Sequence, residues 1–152
     1  MRTPDEAKDI VRRFYDEVLN THDLKTADEM IADDAVERSP LSPDMGNDKA
    51  AALATLQALF DNSPDLKGEI LDMIATGDRV ATRARFTGTD TGKGWGAMMG
   101  AGPTGKSLTV EGIDVVVLGE DGRFVEHYGI FDAPAMMIQL GLMPAPSGAP
   151  PV

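Results

Sequence analysis

Apolar residues at the start of the chain recur at helical spacing and mark one side of a long helix. Thr3 can cap this helix, Pro4 suits its first position, and Glu6 can complete a capping box with Thr3. The apolar side consists of Ala7, Ile10, Val11, Phe14, Tyr15, Val18 and Leu19. The pattern predicts an amphipathic helix that packs against a core.

Three shorter helices follow from the same spacing. The first is predicted over Leu24 to Ile31. The second is predicted over Ala50 to Phe60, with either Asn47 or Asp48 as its cap. A last short helix is predicted to start at Asp132 and to run to Leu140.

After the second of these helices the apolar period changes from about 3.6 residues to 2, which indicates strands. Hairpin turns are predicted at Gly77-Asp78 and Asp121-Gly122, because both pairs tolerate positive φ. The predicted strands lie near residues 69–75, 80–88, 108–118 and 124–130. Three helices followed by an antiparallel sheet predict an α+β domain.

The last two predicted strands present two different faces. A two-residue turn pairs Asp114 with Gly129, Val116 with His127, and Leu118 with Val125 on one face. The other face carries Ile113, Val115, Val117, Phe124, Glu126, Tyr128 and Ile130. Because both faces are largely apolar, we expect both to be covered, one by helices and a pocket and the other by a second subunit. Periodicity does not say which face has which role.

Asp114 and His127 are diagonal neighbours on the first of these faces, with Cα atoms roughly 7 to 8 Å apart. A carboxyl group and an imidazole on an apolar surface are costly unless they are paired or functional. One interpretation is a satisfied core pair. The other is acid/base chemistry, because His titrates near neutral pH and an adjacent carboxylate raises its pKa.

Acidic side chains outnumber basic ones, with 25 Asp and Glu against 14 Lys and Arg and a net charge of −11. This excess argues against nucleic-acid and membrane partners, because phosphate binding needs clustered basic residues. No segment resembles a signal peptide or a membrane span, so a soluble, cytoplasmic protein is expected. The absence of cysteine from the sequence excludes disulfides, thiolate catalysis and cysteine-ligated zinc.

A glycine-rich loop is predicted over Gly92 to Gly105. Its Trp95, Met98 and Met99 suit either core packing or an adaptable lid over an apolar ligand. The string from Gly100 to Ser107 matches a nucleotide-binding Walker A motif in its letters alone. A β-rich segment follows it where that motif needs a helix, so nucleotide binding is not expected.

Nine short strings, in this order along the chain, resemble the SnoaL-like polyketide cyclase family. They are residues 10–18, 20–23, 32–34, 63–66, 77–80, 103–106, 112–114, 121–128 and 139–142. The resemblance implies a cone-shaped barrel, in which a curved antiparallel sheet wraps around the N-terminal helices, of the nuclear transport factor 2-like superfamily. It also implies a homodimer formed through the sheet and a deep apolar pocket with Asp114 and His127 on its wall. The domain is predicted over 1–143, followed by a flexible Pro-rich tail over 144–152.

The chain departs from the family pattern at the expected site. Gly129 stands where members commonly carry an Asp. The Asp-Arg-Asp set of the related limonene epoxide hydrolases would fall on Asp114, Gly112 and Gly129. Only Asp114 is present, so epoxide hydrolysis by that mechanism is not expected.

These observations predict a cyclase or isomerase that needs no cofactor or metal and acts on an apolar carbonyl compound. His127 removes or returns a proton next to the carbonyl, and Asp114 orients and charges the imidazole. The predicted substrate-binding residues are Phe14, Tyr15, Trp95, Met98, Met99, Val116 and Phe131. The alternatives are a non-catalytic small-molecule binding protein of the same fold and a purely structural interaction domain.

Overall fold

The structure, a computed structural model, describes residues 2–97 and 100–148. Its α-helices are α1 (Pro4–Phe14), α2 (Leu24–Met30), α3 (Lys49–Asn62) and α4 (Ala133–Gln139). Its strands are β1 (Ile31–Glu37), β2 (Lys67–Thr76), β3 (Arg79–Thr89), β4 (Ser107–Leu118) and β5 (Phe124–Phe131). Two short helical turns, Tyr15–Leu19 and Pro43–Met45, complete the regular structure of the described residues.

Helix α1 begins as the sequence predicts and ends differently. The Thr3 hydroxyl accepts a hydrogen bond from the Glu6 backbone N–H at 3.2 Å, and the Glu6 carboxylate accepts one from the Thr3 N–H at 2.7 Å. The predicted single helix changes at Tyr15 into a π-helical turn, Tyr15–Leu19. Such turns insert an extra residue into the helix and often accompany functional sites.

The other predicted helix ends agree with the structure within a residue or two. Asp48, one of the two predicted caps, accepts a hydrogen bond from the Ala51 N–H at the start of α3. Asp132 accepts one from the Ala135 N–H at the start of α4. Gly141 follows α4 with a φ of 73°, where an L side chain would be strained.

The strands form one five-stranded sheet over the described residues, in the order β1-β5-β4-β3-β2. Strand β1 runs parallel to β5, and the other neighbours are antiparallel. The predicted α+β class, a curved, mainly antiparallel sheet wrapped around the N-terminal helices, is confirmed. Strand β1 was not predicted, because Ala32-Asp33-Asp34-Ala35 has weak β propensity and only pairing with β5 makes it extended.

The register of the last hairpin is confirmed near the site and wrong near the turn. Asp114 pairs with Gly129 and Val116 pairs with His127, as predicted. Leu118 pairs with Phe124 rather than with Val125, because the turn spans residues 119–123 and β5 carries a bulge. A bulge reverses the alternation of faces beyond it, so Phe124 lies in the core and not on the outer face.

The main core lies between the sheet and helices α1, α2 and α3, and a smaller one lies under α4. Ser107 starts strand β4, so no helix follows the Walker-like string. In residues 2–97 and 100–148, no helix is long and apolar enough to cross a membrane. Residues 144–148 are exposed, and 149–152 lie outside the described residues, so the predicted domain boundary stays a prediction.

Candidate active site

Strands β4 and β5 bring Asp114 and His127 together on the face of the sheet that the helices cover. Nε2 of His127 lies 3.3 Å from Oδ1 of Asp114. The diagonal pairing predicted from the hairpin register therefore becomes a direct contact between the two side chains. Both side chains are partly buried.

A second carboxylate holds the other ring nitrogen of His127. Nδ1 lies 2.8 Å from Oε2 of Glu37, whose side chain is only 3% exposed. The other oxygen of Glu37 accepts a hydrogen bond from the Ser39 N–H at 2.7 Å. Sequence analysis missed this residue because it lies in the unpredicted strand β1. The one available signal was Ala35 and Glu37 at strand spacing before the Ser39-Pro40 break.

Tyr15 reaches the same cluster from the π-helical turn. Its hydroxyl donates a hydrogen bond to Oδ2 of Asp114 at 3.0 Å, and its side chain is buried. Gly68 on β2 makes room for the ring, because a Cβ there would lie 3.1 Å from two ring carbons. Burial, followed by the negative charge of Asp114, raises the pKa of Tyr15, so its hydroxyl keeps its proton and acts as a donor.

The two carboxyl groups determine the charge of the imidazole. Burial opposes that charge, but hydrogen bonds to Asp114 and Glu37, together with their negative charges, outweigh it and raise the pKa of His127 to about 9. At neutral pH His127 is therefore an imidazolium that donates from Nδ1 to Glu37 and from Nε2 to Asp114. A positive ring between two acidic groups satisfies all three side chains without water.

Gly129 gives this contact its space. A Cβ at this position would lie 2.6 Å from Oδ1 of Asp114 and 3.0 Å from Cε1 of His127. The Gly129 N–H donates a hydrogen bond to the Ser39 hydroxyl at 3.1 Å. The glycine that departs from the family pattern therefore leaves room for the Asp114 carboxyl group beside His127, and a side chain here would require that carboxyl group to shift.

Two apolar pockets reach the cluster. The first encloses about 820 Å³, including the part that opens to solvent, and the second encloses about 680 Å³ in the same sense. The first pocket is lined by Phe14, Tyr15 and Val116, and the second by Trp95 and Phe131. The structure thus brings these five predicted residues to the pockets, whereas Met98 and Met99 lie outside the described residues.

A buried carboxylate that sequence analysis did not assign holds Trp95 in place. The side chain of Asp90 accepts hydrogen bonds from the Trp95 N–H and from both the N–H and the hydroxyl of Thr104. The indole N–H donates to the Ser63 hydroxyl at 2.9 Å. Trp95 also contacts the Phe131 ring edge-on, with ring centroids 6.3 Å apart. Trp95 is therefore held in place through both its backbone N–H and its side chain.

In residues 2–97 and 100–148 no group of three His, Cys, Asp or Glu side chains is arranged to hold a metal ion. Over the same residues, four helices against a curved, mainly antiparallel five-stranded sheet form the arrangement of the nuclear transport factor 2-like cone fold. The chain belongs to one family within it, the SnoaL-like polyketide cyclases, whose family model matches residues 9–140. The resemblance seen in the sequence is confirmed.

Solved structures of similar proteins agree with this assignment. IdmH from Streptomyces antibioticus, a candidate polyketide cyclase, is 31% identical over 90% of this chain and 99% of its own, with a TM-score of 0.75. AclR from Streptomyces galilaeus, a candidate hydroxylase, is 24% identical over 96% of this chain and 87% of its own, with a TM-score of 0.78. The second similarity shows the fold alone. Among curated proteins, none matches the chain.

Proposed function

We propose that the protein is a cyclase or isomerase that moves protons on an uncharged apolar carbonyl compound. The observation that carries this proposal is the linked set of Glu37, His127, Asp114 and Tyr15, which reaches two apolar pockets. Polar side chains that are satisfied by one another, yet face a space able to hold a ligand, are typical of acid/base sites.

The charge of His127 assigns the first step to Asp114. Sequence analysis gave proton removal to His127, but an imidazolium has no free lone pair for a proton. In the proposed reaction the carboxylate of Asp114 takes the proton next to the substrate carbonyl, and the electron pair forms an enolate. The hydroxyl group of Tyr15 and the Nε2–H group of His127 donate hydrogen bonds that stabilise the enolate oxygen.

The second step completes the reaction without net gain or loss of protons. In ring closure the enolate carbon forms a bond to a second carbonyl carbon, and the new alkoxide takes a proton from Nε2 of His127. The proton held by Asp114 then returns to Nε2 across the 3.3 Å contact. In isomerisation the proton returns to a different carbon. Glu37 acts as a positioning residue that holds Nδ1 throughout.

Deuterium uptake by a simple ketone tests this proposal. We expect the protein to accelerate exchange of the protons next to the carbonyl of 2-tetralone in D₂O, followed by NMR. Asp114→Asn and His127→Ala should each lose this acceleration, while 2-tetralone still binds to Asp114→Asn. Exchange that survives in both variants would overturn the proposal, and binding without exchange in the unmodified protein would favour a non-catalytic binding protein instead.

We also propose that the protein forms a homodimer through the outer face of the sheet. Ile74, Ile113 and Ile130 are 67%, 49% and 72% exposed there in the single chain. Exposed apolar side chains on one face of a sheet are typical of protein interfaces. The apolar substrate, the lack of nucleic-acid and membrane partners, and the cytoplasmic location stay predictions.

A further inference from the structure

The two pockets are bounded in part by the same side chains. Five residues line both of them: Thr55, Leu59, Phe86, Asp114 and His127. They come from opposite walls, since Thr55 and Leu59 belong to α3 and the other three belong to the sheet. Because these five residues line both pockets, the pockets adjoin one another there, with Asp114 and His127 between them. We call the shared residues the constriction and the two pockets the first and second lobes.

The two lobes are both mainly apolar away from the constriction. The first lobe is lined by Phe14, Leu19, Ile31, Leu56 and Phe124, and the second by Trp95, Leu108, Phe131 and Met136. Three polar residues border the first lobe alone. Tyr15 and Glu37 are bonded to Asp114 and His127 at the constriction, and Glu126 is bonded to Arg38 and Tyr128. Ser39, a polar neighbour of the second lobe, is bonded to the Gly129 N–H.

Polar chemistry is therefore concentrated where the two lobes meet. Asp114 and His127 lie at the constriction, and apolar walls extend away from them in two directions. A substrate whose reactive carbonyl lay at one end of the molecule would fill one lobe and leave the other with water against apolar walls, which is unfavourable.

We infer that the substrate is an elongated, uncharged molecule with its reactive carbonyl in the interior and an apolar arm in each lobe. The inference rests on the proposed function, because it places the reacting carbon beside Asp114. Leu59 and Phe86 become the residues that set the width of the molecule at the reacting carbon.

Two ketones with the same atoms test the inference. In 6-undecanone the carbonyl is central, and in 2-undecanone it is next to one end, so the two differ only in carbonyl position. Trp95, the single tryptophan of the chain, reports occupation of the second lobe by fluorescence. The imidazole NMR signals of His127 report occupation of the constriction, with His22→Ala to assign them.

We expect 6-undecanone to bind about tenfold more tightly than 2-undecanone, because both of its arms bury apolar area while the carbonyl stays at the constriction. It should change the Trp95 fluorescence and shift the His127 signals at the same concentrations. Equal affinities for the two ketones, or a Trp95 response without a His127 shift, would overturn the inference.

Filling one lobe at a time sharpens the test. Ala52→Phe narrows the first lobe and Met136→Phe narrows the second. Each variant should weaken 6-undecanone, while 2-undecanone should be weakened by only one of them. Leu41→Phe, on the loop beside the second lobe, replaces Met136→Phe if thermal melting shows that the latter is unfolded. Equal losses for both ketones in both variants would contradict two lobes.

Deuterium exchange on the same ketones separates the two proposals. Tight, two-lobed binding of 6-undecanone without exchange that depends on Asp114 supports the shape of the substrate and contradicts the proposed function. Exchange that depends on Asp114, with no preference between the two ketones, supports the function and contradicts the shape.

Discussion

Strands β4 and β5 carry ionisable side chains on their inner face and exposed apolar side chains on their outer face, whereas inner faces are usually apolar and outer faces polar. On the inner face Asp114 and His127 are partly buried among apolar pocket walls. On the outer face, Ile113, which precedes Asp114 in the chain, is 49% exposed, and its partner on β5, Ile130, is 72% exposed. Neither arrangement favours the stability of a lone chain, since buried ionisable groups and exposed apolar groups both carry a cost.

The two faces differ in how their polar and apolar groups are arranged. On the inner face the cluster satisfies its own hydrogen bonds beside an apolar pocket. On the outer face Arg83 and Arg85 both pair with Glu111, while the isoleucines are exposed in the single chain. The proposed substrate on the inner face and the proposed second subunit on the outer face would account for this difference.

The largest effect is expected from removing the negative charge of the inner face. Asp114→Asn keeps the shape of the side chain but cannot take the substrate proton. Ketone deuterium exchange should fall by about 10² to 10⁴-fold, while ketone affinity stays within a few-fold. An equal loss of binding and exchange would mean that Asp114 holds the fold or the ligand and not the proton.

Gly129→Ala should break the inner cluster without touching an ionisable group. Its Cβ would lie 2.6 Å from Asp114 Oδ1, so the carboxyl group has to shift, and we expect the Asp114–His127 contact to lengthen. We expect exchange to fall by roughly tenfold or more, because proton transfer depends on a hydrogen-bonding distance. Gly102→Ala is the matched control, since a Cβ at Gly102 has no heavy atom within 4 Å. Identical behaviour of the two variants would argue against the described geometry.

Glu37→Gln tests how far the charge of Glu37 raises the pKa of His127 on the inner face. It keeps an acceptor for Nδ1 but removes a charge, so the pKa of His127 should fall from about 9 towards its ordinary value of 6.5. Glu126→Gln is the control, because its carboxylate binds Arg38 and Tyr128 and not the imidazole. An NMR titration of His127 in both variants measures the effect. A His127 pKa that stays near 9 in Glu37→Gln would contradict the assignment.

The same raised pKa predicts how stability depends on pH. Because His127 binds its proton more tightly in the folded protein, its stabilisation is fully present below about pH 6.5 and is lost as the pH rises through about 9. The loss should be about 3 kcal/mol in the free energy of unfolding. Urea unfolding at pH 6 and pH 10 measures it, and His127→Ala, which lacks the titrating group, should lose correspondingly less over that range.

The smallest effect on chemistry is expected from the outer face. Ile74→Asp should prevent dimer formation, seen by analytical ultracentrifugation, and leave ketone exchange within about threefold, because Ile74 is exposed on the outer face and lines neither pocket. Met143→Asp, an exposed methionine off the sheet, is the control. A monomeric unmodified protein, or a dimer that survives the substitution, would contradict the proposed interface.

Much of the fold could be predicted from local patterns. The helix caps at Thr3, Asp48 and Asp132 are local hydrogen bonds between residues three apart, and the sequence shows them directly. The contact between Asp114 and His127 was predictable as well, because hairpin register relates residues only a short turn apart. Both kinds of contact depend on short stretches of chain.

The unpredicted features depend on distant parts of the chain. The sequence predicts a two-residue turn, but the turn spans residues 119–123. This longer turn is accompanied by a bulge in β5 that directs Phe124 inward. The π-helical turn that aims Tyr15 at Asp114 breaks the helical period only slightly. Asp90 gave no signal, because the groups it binds lie in a loop without periodicity.

By itself the sequence determined the family, the α+β class, the two faces of the last hairpin and the Asp114–His127 pair. Tertiary structure alone decided that Glu37 holds the imidazole, because β1 becomes a strand only by parallel pairing with β5, some 90 residues further on. It also decided that Asp114 and His127 lie between two pockets, since both pockets are bounded by side chains from α3 and the sheet together. Local propensity records hydrogen bonds within a few residues, whereas the charge of His127 and the shape of the cavity depend on segments that meet only after folding.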